Sequence, residues 1–236
     1  KTDLTKLFLT ATTISWLFSL LALNFYLREK QVLASIFAGI SSIFQVVVGS
    51  ITLSLFIGDI LLKRASSIKE KVIKLVKMVP FLPIYSLSVI PLLLVNSKTS
   101  NTQISMYSSE IMAWFAHPGH ILPSSWRLDL WIAFFLLTGF FIFSFTRSDC
   151  SKKIKEKITN FLIITAVICF VGYLFVEVIV ISPIVKMQLF RATIIINIFG
   201  IIFIGGYIYE RIGGSTNPLE KTFFMLLPLS LLSKQT

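Results

Sequence analysis

The sequence predicts an all-α, polytopic integral membrane helix bundle with six to seven transmembrane helices and one long external loop. Three observations carry that expectation. Of 236 residues, 55% are hydrophobic and 14% charged, with a mean hydropathy of +0.84, whereas soluble domains average nearer a quarter charged. Apolar runs recur at about 20 residues, the length that crosses a bilayer as a helix. The Lys and Arg residues behind the net charge of +11 gather in short segments between those runs. That distribution marks topology signals and contact with anionic head groups, so the lipid bilayer is the expected partner and nucleic acid is not.

The first run covers residues 7–27 and ends at a tight turn, Arg28-Glu29-Lys30. The second, 31–62, is longer than a perpendicular helix needs, so it is expected to tilt or project. Its Gly39, Ser41, Ser42, Gln45 and Gly49 are small or polar residues of the kind that let helices approach in lipid. Residues 63–77 form a basic amphipathic linker whose apolar positions Ile68, Val72, Ile73 and Val76 suit a membrane surface. The third run, 78–95, holds Pro80, Pro83 and Pro91 and is expected to be kinked or broken.

The long polar loop, 96–129, follows, and then an aromatic-rich fourth run at 130–145. A second basic linker, 147–157, leads to a fifth run at 158–181 with Glu177 near its far end. Residues 182–191 connect to a sixth run at 192–209, and a last run at 222–232 is too short to span reliably. Residues 1–236 read as a single transmembrane domain. Cys150 lies in a basic linker and Cys169 inside a run, so no disulfide framework is implied. The chain opens with Lys1, and its first run lacks a small-residue cleavage site. It reads as a piece of a longer protein, not as a signal peptide followed by a domain.

Sidedness follows from the basic residues. With a cytoplasmic N-terminus and strict alternation, fifteen of the 22 Lys and Arg residues fall inside and seven outside, as the positive-inside bias requires. The expectation is a multi-pass protein of the cell inner (plasma) membrane, with both linkers cytoplasmic and the 28–30 turn, the long loop, Glu177 and Arg191 on the external face.

Candidate functional residues collect on that face. Both histidines, His117 and His120, lie in the long loop, with Arg127 just behind them. The HxxH spacing admits a divalent metal with Glu110 or Asp129 as a third ligand, yet Pro118-Gly119 makes a turn that need not converge the rings. Hydrogen bonding within an ordered loop, or contact with a phosphate or sugar, ranks above metal binding, so no cofactor is assigned. Gln188 and Arg191 open the sixth run, and a guanidinium fork suits phosphate; the plainer role for Arg191 is an interfacial anchor. Glu177 is an ionisable group in a span, expected to face the protein with Arg191 as partner. Asp59 reads as solvated near an interface, and Gln45 as interhelical glue. No P-loop, dinucleotide fingerprint, GxSxG or HExxH pattern is present, and the catalytic residues are unknown.

The stretch Phe115 to Trp126, FAHPGHILPSSW, resembles the Arg-x-Pro-His-His-Tyr-x-Pro-Ser motif of a bacterial membrane-protein family defined only as a domain of unknown function. That family is built like the GT-C glycosyltransferases. Phe44 to Gly49 is similar to its Gln/His-x-x-x-Gly span motif, and Gln188 to Arg191 to its Gln-x-x-Arg. Gly119 replaces one motif histidine, and His120 alone maps onto the pattern. The resemblance implies a membrane glycosyltransferase, or its C-terminal half, using a polyprenyl-phosphate-linked sugar on the external face. It also implies a carboxylate in the first external loop, for which Arg28-Glu29-Lys30 is too short, so earlier spans are expected upstream. The other reading, from the broken third run and Glu177, is a non-enzymatic transporter subunit or a scaffold whose loop docks a partner.

Overall fold

The structure is a computed structural model and describes residues 10–63, 67–98, 123–179 and 182–214. Every regular element among them is helical. In chain order they are α1 (Ala11–Leu27), α2 (Gln31–Phe44), α3 (Val46–Leu62), α4 (Ile68–Val76), α5 (Phe81–Lys98), a 3-10 turn (Pro123–Ser125), α6 (Leu128–Arg147) and α7 (Lys152–Tyr173). Helix α7 widens into a π-helical segment (Leu174–Val178), followed by α8 (Ser182–Met187), a second 3-10 turn (Leu189–Ala192) and α9 (Thr193–Gly214). Three helical stretches are long and apolar enough to cross a membrane: Leu128–Arg147, Lys152–Val178 and Leu189–Gly213. They match the expected fourth, fifth and sixth runs. A fourth is added if α4 and α5 count as one bent span. The chain divides into two compact units, one of residues 1–126 and 152–193, the other of residues 127–151 and 194–236.

The first unit departs from expectation at its second run, which is two helices and not one tilted span. Gln45 is extended (φ −153°, ψ 107°) and separates α2 from α3. Helix directions follow from the contacts. Ser15 of α1 donates to the Ser41 carbonyl at 2.9 Å and Phe25 stacks on Phe37 at 5.1 Å, so α2 runs antiparallel to α1. Thr52 donates to Ser19 at 2.8 Å and Tyr26 stacks on Phe56 at 4.3 Å, so α3 runs back alongside α1. The fold-back rests on Gly49, where an added Cβ would stand 2.7 Å from the Ser42 nitrogen and 2.8 Å from the Ala38 oxygen. Only a residue without a side chain lets those backbones meet. The hydroxyls of Ser15, Ser19, Ser41 and Thr52, all fully buried, bond one another across the three helices. Each such bond contributes about 0.6–2 kcal/mol in an apolar setting.

Helix α5 then runs parallel to α2: Ser35 lies against the Lys77 carbonyl, Gly39 under Ile84, and Ser42 near Ser88. The break in the third run comes before the helix, at residues 77–80, where α4 and the first half of α5 meet at 52°. Pro83 falls in the first turn of α5, where its missing donor is harmless. The linker 147–157 is also shorter than expected, since α6 ends at Arg147 and α7 begins at Lys152.

These directions put one end of the first unit under a concentration of cations. Arg28 and Lys30, the five described lysines of 63–77 and the four of 152–157 lie at this end, where Glu29 meets Lys153 and Lys157 at 3.1 and 2.6 Å. Lys98, Lys186 and Arg191 sit toward the other end. The expected alternation placed the 28–30 turn and the 147–157 linker on opposite faces. Their ion pairs bring them to the same end of the unit, because the fold-back at Gln45 returns the chain to that end before α4.

In the second unit α6 and the body of α9 pack through aromatic rings, Phe141 and Phe145 meeting Phe203 at 5.9 and 5.1 Å and Phe143 meeting Tyr207 at 5.5 Å. Only 11% of the apolar window of α6 is buried, and Phe135, Leu136 and Ile201 stand exposed. Such faces suit lipid.

Candidate functional site

Of the six residues singled out by sequence, His117 and His120 lie outside the described residues. Arg127 belongs to the second unit, where it is 81% exposed and pairs locally with Asp129 at 3.1 Å. An exposed pair of that kind contributes at most about 1 kcal/mol. Glu177, Gln188 and Arg191 belong to the first unit and occupy its less basic end.

Glu177 sits in the π-helical segment, where the wider turn reorients the side chain. Its Oε1 accepts the Ser124 backbone N–H at 2.9 Å, tying the 3-10 turn at the end of the long loop to α7. The expected Glu177–Arg191 ion pair is not present among the described residues. Helix α8 packs beneath, with Val185 and Ile184 against Val176. Gln188 then takes a left-handed conformation (φ 47°, ψ 51°) and starts the 3-10 turn that carries Arg191. A non-glycine residue held there costs about 1–2 kcal/mol and must be fixed by its surroundings.

The fixing comes from Gly172. An added Cβ at Gly172 would stand 3.0 Å from the Leu189 Cβ and 3.3 Å from the Phe190 ring, so the 3-10 turn lies directly on α7. Arg191 is thereby half-buried, and its Nη1 is buried without a hydrogen-bond partner. A buried donor lacking an acceptor forfeits about 1–3 kcal/mol, more when charged. This end therefore holds one carboxylate already engaged, one buried guanidinium nitrogen without an acceptor, and a strained turn between them. Among the described residues no group of three or more His, Cys, Asp or Glu converges to hold a metal.

A second polar cluster, at the basic end, was not singled out by sequence. The Lys157 side chain is 6% exposed and donates to Glu29 Oε1 at 2.6 Å and to the Tyr26 carbonyl at 3.0 Å, with its ammonium 4.9 Å from the Tyr26 ring centre. It thus caps the C-terminus of α1, where a cation complements the helix dipole. Beside it the Tyr26 hydroxyl donates to Asp59 Oδ2 and Asn160 Nδ2 donates to Asp59 Oδ1, both at 2.7 Å. Asp59 is 4% exposed, which overturns the solvated reading. The cluster joins α1, α3 and α7.

Glu29 itself has φ 63°. Its N–H bonds the Tyr26 carbonyl at 3.0 Å and the Lys30 N–H bonds the Phe25 carbonyl at 2.9 Å. This is a Schellman ending with Glu where Gly is usual. Burial raises the Glu29 pKa, the hydrogen bonds and charges of Lys157 and Lys153 lower it by more, and the net value lies below the ordinary carboxylate range. The one available sequence signal was a non-glycine residue ending an apolar helix. Its partner, more than 120 residues away, left no local trace.

No protein-family model, no curated protein and no solved structure matches the chain.

Proposed function

We propose that the chain is a multi-pass membrane protein that binds the phosphate of a lipid-linked sugar at the Glu177 end, as a GT-C-like glycosyltransferase or its C-terminal half. The observation that supports this best is Arg191, whose buried Nη1 has no acceptor. A phosphate oxygen supplies one, and the guanidinium fork fits it in a bidentate fashion. Gln188 sets the turn, and Glu177 holds the loop end through Ser124. In this reading His117 and His120 remain candidate contacts to the phosphate or sugar, and the catalytic base is not assigned. The positive-inside bias puts the eleven-cation end in the cytoplasm and the Glu177 end outside. The start of α1 at Ala11 then lies on the outer side of an inner membrane, opposite to the alternation expected from sequence.

The test is binding of a polyprenyl phosphate to the full chain in lipid nanodiscs. Loss of one charge-assisted pair is worth about 1.5–3 kcal/mol, so Arg191→Ala should weaken binding by about ten- to a hundredfold. Arg191→Lys should recover part of it, and unchanged affinity in Arg191→Ala rejects the site. The chain interruptions at Gln45 and residues 77–80 favour a second reading, a transporter subunit, since broken helices line substrate paths. Solute flux in proteoliposomes that survives Arg191→Ala would favour transport.

A further inference from the structure

We propose that α4 and the cations around it form a docking surface for anionic lipid head groups, distinct from the site at the Glu177 end. Helix α4 buries none of its residues: Ile68, Val72, Ile73 and Val76 are 83, 51, 47 and 61% exposed. A nine-residue helix with no buried face does not persist through packing alone. It is nonetheless well ended. Ser67 Oγ accepts the Glu70 N–H at 3.2 Å, Lys71 Nζ bonds the Leu61 carbonyl at 2.8 Å, and the 77–80 turn fixes its 52° angle to α5.

The exposed apolar face is therefore held at 52° to α5, at the cationic end of the unit. Lys69 and Lys74 lie on the same helix and Lys77 is its C-cap residue. Arg28, Lys30 and Lys152 stand at the same end of the unit, on segments far away in sequence. A short helix with one apolar face and cationic flanks, too polar as a whole to cross the bilayer, lies in the interface plane, and each cation near an anionic surface adds about 1 kcal/mol. The occupant that satisfies both the apolar and the cationic groups is the head-group layer of an anionic leaflet. An acidic protein would answer the lysines but leave Ile68 and Val72 in water.

The test uses the full chain with Cys150 and Cys169 replaced by Ser and Ala, and Ile68→Cys or Val72→Cys carrying an environment-sensitive dye. The protein is placed in phosphatidylcholine nanodiscs with and without phosphatidylglycerol. The dye should be quenched by brominated lipid and protected from iodide when phosphatidylglycerol is present, and the protection should fall in high salt. Native mass spectrometry should show retained phosphatidylglycerol, with preference falling about fivefold for each of Lys69→Gln, Lys74→Gln and Lys77→Gln. Lys77 is the C-cap residue of α4, but it caps through its backbone N–H, which glutamine retains, so folding is preserved. A dye open to iodide in both lipids overturns the proposal. So does one shielded from both quenchers, which would mean that protein covers the helix, and so does a lipid preference unmoved by the three substitutions.

Discussion

Glu29→Gln isolates the ion pair that fastens the α1–α2 turn to α7. The substitution leaves the Lys157 ammonium 6% exposed and facing a neutral amide, with the Tyr26 carbonyl at 3.0 Å and the Leu27 carbonyl at 3.5 Å as its remaining acceptors. Removing one partner of a buried pair costs about 3–5 kcal/mol, and the 39% exposure of Glu29 puts this case near the lower value, about 3 kcal/mol. Lys157→Met removes the other partner but leaves Glu29 in contact with water and with Lys153 at 3.1 Å, so its cost is about 1 kcal/mol. The double variant should be about 2 kcal/mol more stable than the sum of the single losses implies. Glu29→Gly loses the same pair but relieves the φ of 63°, and should be about 1 kcal/mol more stable than Glu29→Gln. Unfolding in detergent followed by tryptophan fluorescence resolves these differences, at about 2–4 °C in Tm per kcal/mol for a chain of this length. Equal losses from Glu29→Gln and Lys157→Met that simply add would refute a buried, coupled pair.

Further predictions concern pH, packing and the Arg191 turn. Because the folded Glu29 pKa is depressed, the unfolded chain takes up its proton first; the stabilisation is complete above the ordinary value of 4.5 and is lost as pH falls through the folded value. Tm should therefore drop on acidification below pH 4.5 in the native chain and less so in Glu29→Gln. Gly49→Ala should destabilise by about 1–3 kcal/mol, because its Cβ meets backbone atoms, whereas Gly58→Ala meets only side-chain atoms, Ile164 Cδ1 at 2.5 Å and Cγ1 at 2.7 Å, and should cost less in the same melt. Gly172→Val should displace the 3-10 turn and weaken polyprenyl-phosphate binding while leaving the Glu29 pH response intact; normal binding would separate the turn from the ligand.

Helix content was legible from hydropathy, and α6, α7 and α9 fall where apolar runs met the length of a bilayer. The fold-back at Gln45 was not, because Phe44-Gln45-Val46 lies inside one apolar run with neither Pro nor Gly at the break. What selects it is tertiary: Gly49 against Ala38 and Ser42, and the shared hydroxyls of Ser15, Ser19, Ser41 and Thr52. The same hairpin is why the 28–30 turn shares an end of the unit with Lys153 and Lys157 and not the opposite one. At the Glu177 end the residue types were legible and the pairing was not. A backbone N–H of Ser124, which any residue but proline supplies, takes the carboxylate expected for Arg191. Asp59 read as solvated because its partners Tyr26 and Asn160 come from other helices.

The shared face of the 28–30 turn and the start of α7 is tested most directly by impermeant maleimide labelling in sealed, oriented vesicles. Lys30→Cys, Lys152→Cys and Ser124→Cys would each be placed in a background lacking Cys150 and Cys169. Positions 30 and 152 should label from one side of the membrane and position 124 from the other. Labelling of 30 and 152 from opposite sides would contradict the fold-back at Gln45 and the sidedness that rests on it.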